Sequence, residues 1–537
     1  MWLLLLNFAY SFNCVNINSF MSNESRVKKS LLNMKVNLVA YFVTIVVSFF
    51  TRKIFLDQLG DEFIGLTTTV NSLLAFLNLA ELGVGASIAY FLYRPLYDDD
   101  KGKINEIISI MGYMYRMIGL FILCAGIILS LFLPFFFKGT QQSWFIVYYC
   151  FYGQLVCSLI GYFFNYKANT IFNADQRQYL VNGYFQLSQI LCTLIQMVLA
   201  LYTNSCALYI TISIIFAIVN SVILNWKFDK VYPWVEANYA LGKRAIKWHS
   251  EIIQYVKRVF VHQIGGFINN SVMPLIVYAY ASLSMVTFYG NYTLINSKIS
   301  QLVNAAFSGT NAGIGNLIAE GDSTRIYSCY KELFSIKFFA VLYLSICLVY
   351  LNSDFVAVWL GEKYVLEPLI VALICADFCL NLLRDTTEQY LNGYGLKADV
   401  WVPICRIVSL LFVVGAGKVW GLVGILAVPV AVQLLLMHVW KPYYLYRDGF
   451  KESFVKYVKL LCANALPFLL AFFATKWVIS FWGVSDGLTT TWSAFLVKSL
   501  SFCAVLLFLS ALFSYAMSEG IRSFVQRVKE SIHHKKQ

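Results

Sequence analysis

The sequence predicts an all-α polytopic membrane protein with about fourteen membrane-spanning helices, and three observations carry that reading. First, 59% of the 537 residues are hydrophobic and only 13% are charged, against about 25% charged in an ordinary soluble chain. A soluble core cannot bury so much apolar surface. Second, that surface is gathered into runs of roughly the 20 residues a helix needs to cross hydrocarbon. Such runs, poor in Pro, favour helices over barrel strands, which alternate over about 10 residues. Third, Lys and Arg fall on alternate connections between the runs.

The runs lie at 36–57, 63–92, 110–137, 143–165, 179–201, 206–226, 259–282, 284–312, 332–351, 364–383, 399–416, 420–440, 457–480 and 492–516. With the amino terminus inside, the inside segments collect Arg26, Lys28, Lys29 and Lys35, then Arg94, Lys101, Lys103 and Arg116, then the basic stretch from Lys227 to Arg258 and the tail from Arg522 to Lys536. Of the 41 Lys and Arg, 33 lie in the inside segments or at the inner ends of the runs, leaving Arg52, Lys53, Lys138, Lys298, Lys363, Lys418, Lys476 and Lys498 outside or deeper within spans. A wrong span count would scramble that bias, so both termini are expected in the cytoplasm. The same bias accounts for the net charge of +13. Its cations sit where anionic lipid headgroups favour them, which makes membrane lipids the expected partner and requires no nucleic acid.

Residues 1–20 lack the basic start and small-residue cleavage site of a signal peptide, and Met21 opens a more conventional beginning. They are expected to be an upstream extension or a piece resting on the membrane, within a cytoplasmic segment 1–35. Internal similarity organises the rest. Phe63, Gly65, Asn71 and Ser72 align with Phe288, Gly290, Asn296 and Ser297, and "GVGASIAY" at 83–90 aligns with "GIGNLIAE" at 313–320. These matches, in the same order, predict two lobes of six spans each, 36–226 and 259–440, joined by the basic connection 227–258. Two further spans within 441–516 and a basic cytoplasmic tail, 517–537, complete the chain.

Catalytic chemistry finds no support. The thirteen cysteines are scattered without a CxxC pair, and although Cys375 and Cys379 lie one turn apart, no His or second pair accompanies them. The longest outside connection, about 352–364, is too short for a catalytic domain. The inside segments carry no Gly-rich phosphate loop and no Ser/His/Asp set. No enzyme, resident cofactor or metal is expected.

Polar residues within spans form stripes. Asn37, Thr44, Ser48 and Arg52 share one face of span one, and Thr67, Asn71, Asn78 and Glu81 share a face of span two. Span seven carries His262, Gly266, Asn269 and Met273, and span eight carries Thr293, Ser297, Gln301, Asn304 and Ser308 beside Lys298. Stripes in both lobes imply a hydrated surface. The competing reading is that Asn, Ser and Thr merely hold helices together. Charges carry more weight, because an Arg or Lys near the bilayer centre costs about 2.5–3.5 kcal/mol even on the gentler scale. Arg52 and Lys298 are therefore candidate cavity residues, with snorkelling to the outer interface as the alternative for Arg52.

The segments "AELGVGASIAYFLYRPLYDDDKGKINEI", "ADQRQYLVN", "HQIGGFINNS", "TFYGNYTLI", "GIGNLIAEGD" and "FVAVWLGEKY", in this order between Arg26 and Trp440, make the chain resemble the polysaccharide-transporter (O-antigen or Wzx-type) flippases of the multidrug/oligosaccharidyl-lipid/polysaccharide superfamily. One departure is visible: relatives often carry an acidic residue just after the turn at Asn269 to Ser271, where this chain reads "VMP".

The resemblance implies two six-helix bundles that alternate in access. They would move a polyprenyl-pyrophosphate-linked oligosaccharide, a repeat unit of O-antigen, capsule or exopolysaccharide, from the inner to the outer leaflet of a bacterial inner membrane. A polysaccharide polymerase and a chain-length regulator are the implied partners. Arg52 and Lys298 would attract the diphosphate, and Asn71, Asn78, Asn269, Gln301 and Asn304 would hydrogen-bond sugar hydroxyls. Relatives draw on ion gradients, which directs attention to the intramembrane carboxylates Glu81 and Asp377 as sites for Na+ or H+ coupling. The alternative for each is a salt bridge that shapes the cytoplasmic gate. Rival readings are a drug or cation antiporter, which the cationic stripe opposes, a lipid II flippase, for which the dense set of cavity arginines is lacking, and a membrane glycan polymerase, which the short outside connections oppose.

Overall fold

The computed structural model describes residues 24–175, 178–267, 272–307, 310–396, 401–483 and 487–534, and these form helices with no strand among them. Residues 1–20, expected as an extension, lie outside the described residues. Nine helical stretches among those described are long and apolar enough to cross a membrane. The chain divides into two compact units between Thr287 and Phe288.

The first unit contains α1 (Glu24–Leu59), α2 (Asp61–Leu77), α3 (Val84–Tyr97), α4 (Lys101–Ser130), α5 (Trp144–Ile160), α6 (Tyr166–Ala174), α7 (Gln178–Thr203), α8 (Cys206–Val231), α9 (Tyr239–Ala245), α10 (Ser250–Phe267) and α11 (Met273–Tyr280). Polar residues start several of them. The side chains of Asp100, Ser143 and Ser205 accept from backbone N–H groups in the first turns of α4, α5 and α8, satisfying donors the helix cannot. α1 packs along α7, and α8 lies against both α5 and α7. Some buried polar side chains are satisfied within their own helix, as where the Thr51 hydroxyl of α1 donates to the Val47 carbonyl at 2.8 Å, and others between helices, as where the Ser221 hydroxyl donates to Asn165 Oδ1 at 2.6 Å.

Span two is one apolar run in sequence but two helices in space. α2 ends at Leu77, a 3-10 turn covers Asn78–Glu81, and Gly83 takes φ +86° before α3 begins. Only glycine adopts that φ cheaply, and a Cβ there would also press on Val259 and Phe260 of α10. Gly83 thus fixes the break, and Glu81 sits at it. In span seven, α10 and α11 flank residues 268–271, which lie outside the described residues.

The second unit is built from α12 (Leu283–Phe307), which crosses the division, then α13 (Thr310–Glu320), α14 (Ser323–Leu360), α15 (Pro368–Gly393), α16 (Trp401–Gln433), α17 (Phe454–Phe481), α18 (Trp492–Met517) and α19 (Glu519–His534). α16 comprises two helices joined across a kink at Gly421, and it runs on into a π-helical stretch, Leu434–Trp440. α14, α17 and α18 enclose a core of Cys347, Leu351, Ala471, Phe502 and Leu506. Tyr350 stacks on Phe502 with centroids 4.1 Å apart. Elsewhere in the unit Tyr330, Tyr390, Tyr446 and Phe450 meet edge to face.

The stretch 352–364, expected as the longest outside connection, is instead helical as far as Leu360. Its polar residues read as loop only because their partners come from far along the chain. Asp354 is 3% exposed; its Oδ2 accepts from Lys498 Nζ at 2.9 Å and its Oδ1 from the Thr489 backbone N–H at 2.7 Å. A second donor from Thr489, its hydroxyl at 3.0 Å, completes the carboxylate's shell. With those partners in place the charge can be buried and the helix can continue.

Candidate functional site

In the first unit the candidate residues gather around the break in span two. Glu81 ends the 3-10 turn, half-buried, and its Oε1 accepts from the Tyr115 hydroxyl of α4 at 2.8 Å. Tyr162, in the π-helical turn Gly161–Asn165, reaches the same carboxylate. Tyr115 is itself buried and stacks on Tyr166 with centroids 5.8 Å apart. The partners of Glu81 are phenols, and it forms no ion pair among the described residues. Asn78, in the same turn, accepts from the Ser158 hydroxyl of α5 at 3.1 Å. Asn71, two turns earlier on α2, is exposed.

Arg52 projects from α1 and is half-buried, with Nη2 donating to the Thr287 carbonyl in the second turn of α12 at 3.4 Å. Lys53 beside it is exposed. The guanidinium is therefore partly engaged with backbone of its own unit. Asn269 lies outside the described residues.

In the second unit α12 has two distinct faces. Tyr292, Ile295, Asn296 and Val303 are buried; the Tyr292 hydroxyl accepts from the Leu366 N–H at 3.1 Å, and the Asn296 amide donates to the Ile374 carbonyl at 3.3 Å. The other face carries Ser297 and Asn304, both exposed, with Lys298 and Gln301 half-buried between them. Lys298 makes no hydrogen bond or ion pair among the described residues. Lys298, Gln301 and Asn304 thus share one arc of a single helix.

Asp377 lies on α15. Its Oδ2 accepts from the Asn381 amide at 2.9 Å, and with the Gln433 amide nitrogen turned toward it, Oδ1 accepts at 3.0 Å. Gln433 closes α16 where the π-helical stretch begins, a kind of distortion that recurs at functional sites. The direct donors to Asp377 are neutral amides, and it too forms no ion pair among the described residues. The guanidinium groups of Arg384 and Arg406 lie close enough to act on it electrostatically.

Below Asp377 runs an ionic network that sequence reasoning missed. Lys337 of α14, 3% exposed at its side chain, pairs with Asp385 at 3.1 Å, and Lys441 pairs with Glu388 at 2.7 Å. His438, in the π-helical stretch, hydrogen-bonds the Leu380 carbonyl at 3.0 Å. The available signal was the spacing of Asp377, Asn381, Arg384 and Glu388 by four, three and four along one helix face. In the same unit a cavity of about 500 Å³ opens between α14, α15 and α17, but its lining, including Leu342, Val349, Ala376, Leu466 and Phe472, is apolar.

No protein-family profile matches the sequence, and no curated protein matches it. Solved structures do. The lipid II flippase MurJ in an inward closed conformation is 13% identical, with a TM-score of 0.64, over 89% of this chain and 98% of that one. An inward-facing multidrug resistance MATE family transporter of the MOP superfamily is 14% identical, with a TM-score of 0.53, over 78% and 99%. A MOP superfamily transporter from Pyrococcus furiosus, described as having a binding pocket of reverse polarity, is 15% identical, with a TM-score of 0.51, over 79% and 97%. The chain has the fold of MOP-superfamily transporters and is a multi-pass membrane protein of that architecture.

Proposed function

We propose that this protein is a flippase that carries a polyprenyl-pyrophosphate-linked oligosaccharide from the inner to the outer leaflet of a bacterial inner membrane by alternating access, with both termini cytoplasmic. The observation that carries the reading is Lys298. Lys298 is half-buried on a helix that the sequence expects to span the membrane, has no partner among the described residues and stands beside the amide side chains of Gln301 and Asn304. An unpaired cation held at such cost calls for an anionic ligand, and neighbouring amides suit sugar hydroxyls. A diphosphate attached to a glycan meets both requirements. The likeness in fold to a lipid II flippase supports movement of a lipid-linked substrate. The ordered segments described above favour a polysaccharide repeat unit.

Glu81 and Asp377 are the proposed points of coupling to Na+ or H+. Glu81 sits at the break in span two and Asp377 faces Gln433, where a neighbouring π-helical stretch begins; both carboxylates are held by neutral donors. A polysaccharide polymerase and a chain-length regulator would act on the product. The test is deletion of the gene. Lipid-linked repeat unit should accumulate on the inner leaflet, and the gene should restore export. Accumulation of unpolymerised unit on the outer leaflet would point to a polymerase, and loss of cation efflux with normal glycan export would point to an antiporter.

A further inference from the structure

α9 and the residues that follow it form a strap, clamped across the first turns of α4. The Gly242 backbone rests directly on α4, so that a Cβ would collide with the Ser109 carbonyl. Ser109 Oγ accepts from the Asn238 N–H at 3.0 Å, and the Asn238 side chain caps α9 by accepting from the N–H groups of Ala240 and Leu241. Asn105 of α4 accepts from the Glu236 N–H and donates to the Trp234 carbonyl. Arg116 lies over the Tyr239 ring at 4.7 Å, and His249 reaches Glu106.

These contacts fix the height of the strap. All fall between Asn105 and Arg116, where α4 passes from Lys101, Lys103 and Glu106 into the apolar run 110–137. That is where a membrane boundary falls on a spanning helix. Gly242 and Ala245 are buried by the docking, which leaves Leu241, Lys243, Arg244, Lys247 and Trp248 pointing outward. Trp248 is 75% exposed. Between Glu236 and Glu251 there is no Asp or Glu. A segment at boundary height that shows Trp, Leu and three cations, the adjoining acids Glu106 and Glu251 being engaged by His249, matches the aromatic and basic chemistry of a membrane interface.

We propose that this strap is a binding surface for anionic phospholipid headgroups, those of the cytoplasmic leaflet in the orientation the charge bias predicts. Lys243, Arg244 and Lys247 take the phosphates, while Trp248 and Leu241 enter the headgroup layer. The surface includes none of Arg52, Lys298, Glu81 and Asp377, and its test is independent of transport.

The full chain is reconstituted in nanodiscs of phosphatidylcholine alone or with phosphatidylglycerol, and hydrogen exchange is followed in peptides covering 239–250. Exchange should be slower in the phosphatidylglycerol discs, and each of Lys243→Gln, Arg244→Gln and Lys247→Gln should erode that protection about fivefold. About 1 M salt, where screening extends only ~3 Å, should remove it. Brominated phosphatidylglycerol should quench the fluorescence lost on Trp248→Phe more than brominated phosphatidylcholine does. Equal exchange of the unaltered chain in the two lipids, or the same protection from inorganic phosphate in phosphatidylcholine discs, overturns the proposal.

Discussion

The Tyr115 hydroxyl donates to Glu81 Oε1 at 2.8 Å, tying α4 to the 3-10 turn that interrupts span two. A carboxylate held by a phenol keeps its charge uncompensated by any protein cation, whereas one locked to Lys or Arg does not. Glu81→Gln should therefore weaken the dependence of export on the ion gradient at normal membrane abundance. Tyr115→Phe should retain export but shift its dependence on pH or Na+. Measuring export across a range of imposed gradients separates the two. Unchanged gradient dependence in Glu81→Gln would assign the carboxylate to structure alone.

Lys298 and Arg52 should respond differently to truncation. Lys298→Ala removes a cation that stabilises no partner among the described residues, so export should fall while thermal stability holds or rises. Arg52→Ala also breaks a contact to the Thr287 carbonyl, so a loss of about 1 kcal/mol of stability should accompany the loss of export. Export assays paired with melting of the detergent-purified variants check both. Full export by both variants would remove these cations from the mechanism.

The Asp354–Lys498 pair is expected to be purely structural. Both side chains are almost fully buried, and removing one partner strands the other charge. Lys498→Ala should cost about 3–5 kcal/mol, while Asp354→Leu with Lys498→Met should recover most of that loss. The comparison of melting temperatures is diagnostic, since a pair used in transport would lose export in the stable double variant as well.

His249 gives the strap a pH dependence. Its Nδ1 faces Glu251 at 2.8 Å and its Nε2 faces Glu106 at 3.2 Å. A neutral imidazole can donate to only one, so these carboxylates, Glu251 foremost, raise the ring above its ordinary value against an opposing effect of burial. The resulting stabilisation is fully present below the unfolded value of roughly 6.5 and is lost as pH rises through the higher folded value. Glu251 is held low by the same hydrogen bond, so its share is present above roughly pH 4.3 and is lost as pH falls through its lowered folded value. Exchange protection near 249–252 should thus peak between those limits, and His249→Gln should flatten the alkaline side of the profile.

Much of the helical layout is visible in hydropathy alone, because each run is long enough to be forced into a helix by the bilayer. The fine breaks are less so. "ELGVG" reads as part of an apolar run, and only the left-handed Gly83 divides α2 from α3. Stripe periodicity puts Lys298, Gln301 and Asn304 on one helix arc. It does not reveal that Lys298 has no partner among the described residues, since that depends on every helix around it. Lys337–Asp385, Lys441–Glu388 and Asp354–Lys498 join residues at least 48 positions apart. No local pattern in the chain records such pairings, which is why 352–360 reads as a connection.

The most direct measurement uses purified protein in liposomes that contain a fluorescent polyprenyl-pyrophosphate oligosaccharide in both leaflets. A lectin or membrane-impermeant reductant added outside reports how much of it becomes accessible. The account predicts that the protein brings inner-leaflet substrate to the outer surface, faster with an imposed Na+ or H+ gradient and slower with Lys298→Ala. Accessibility no greater than in protein-free liposomes, with or without a gradient, would contradict it.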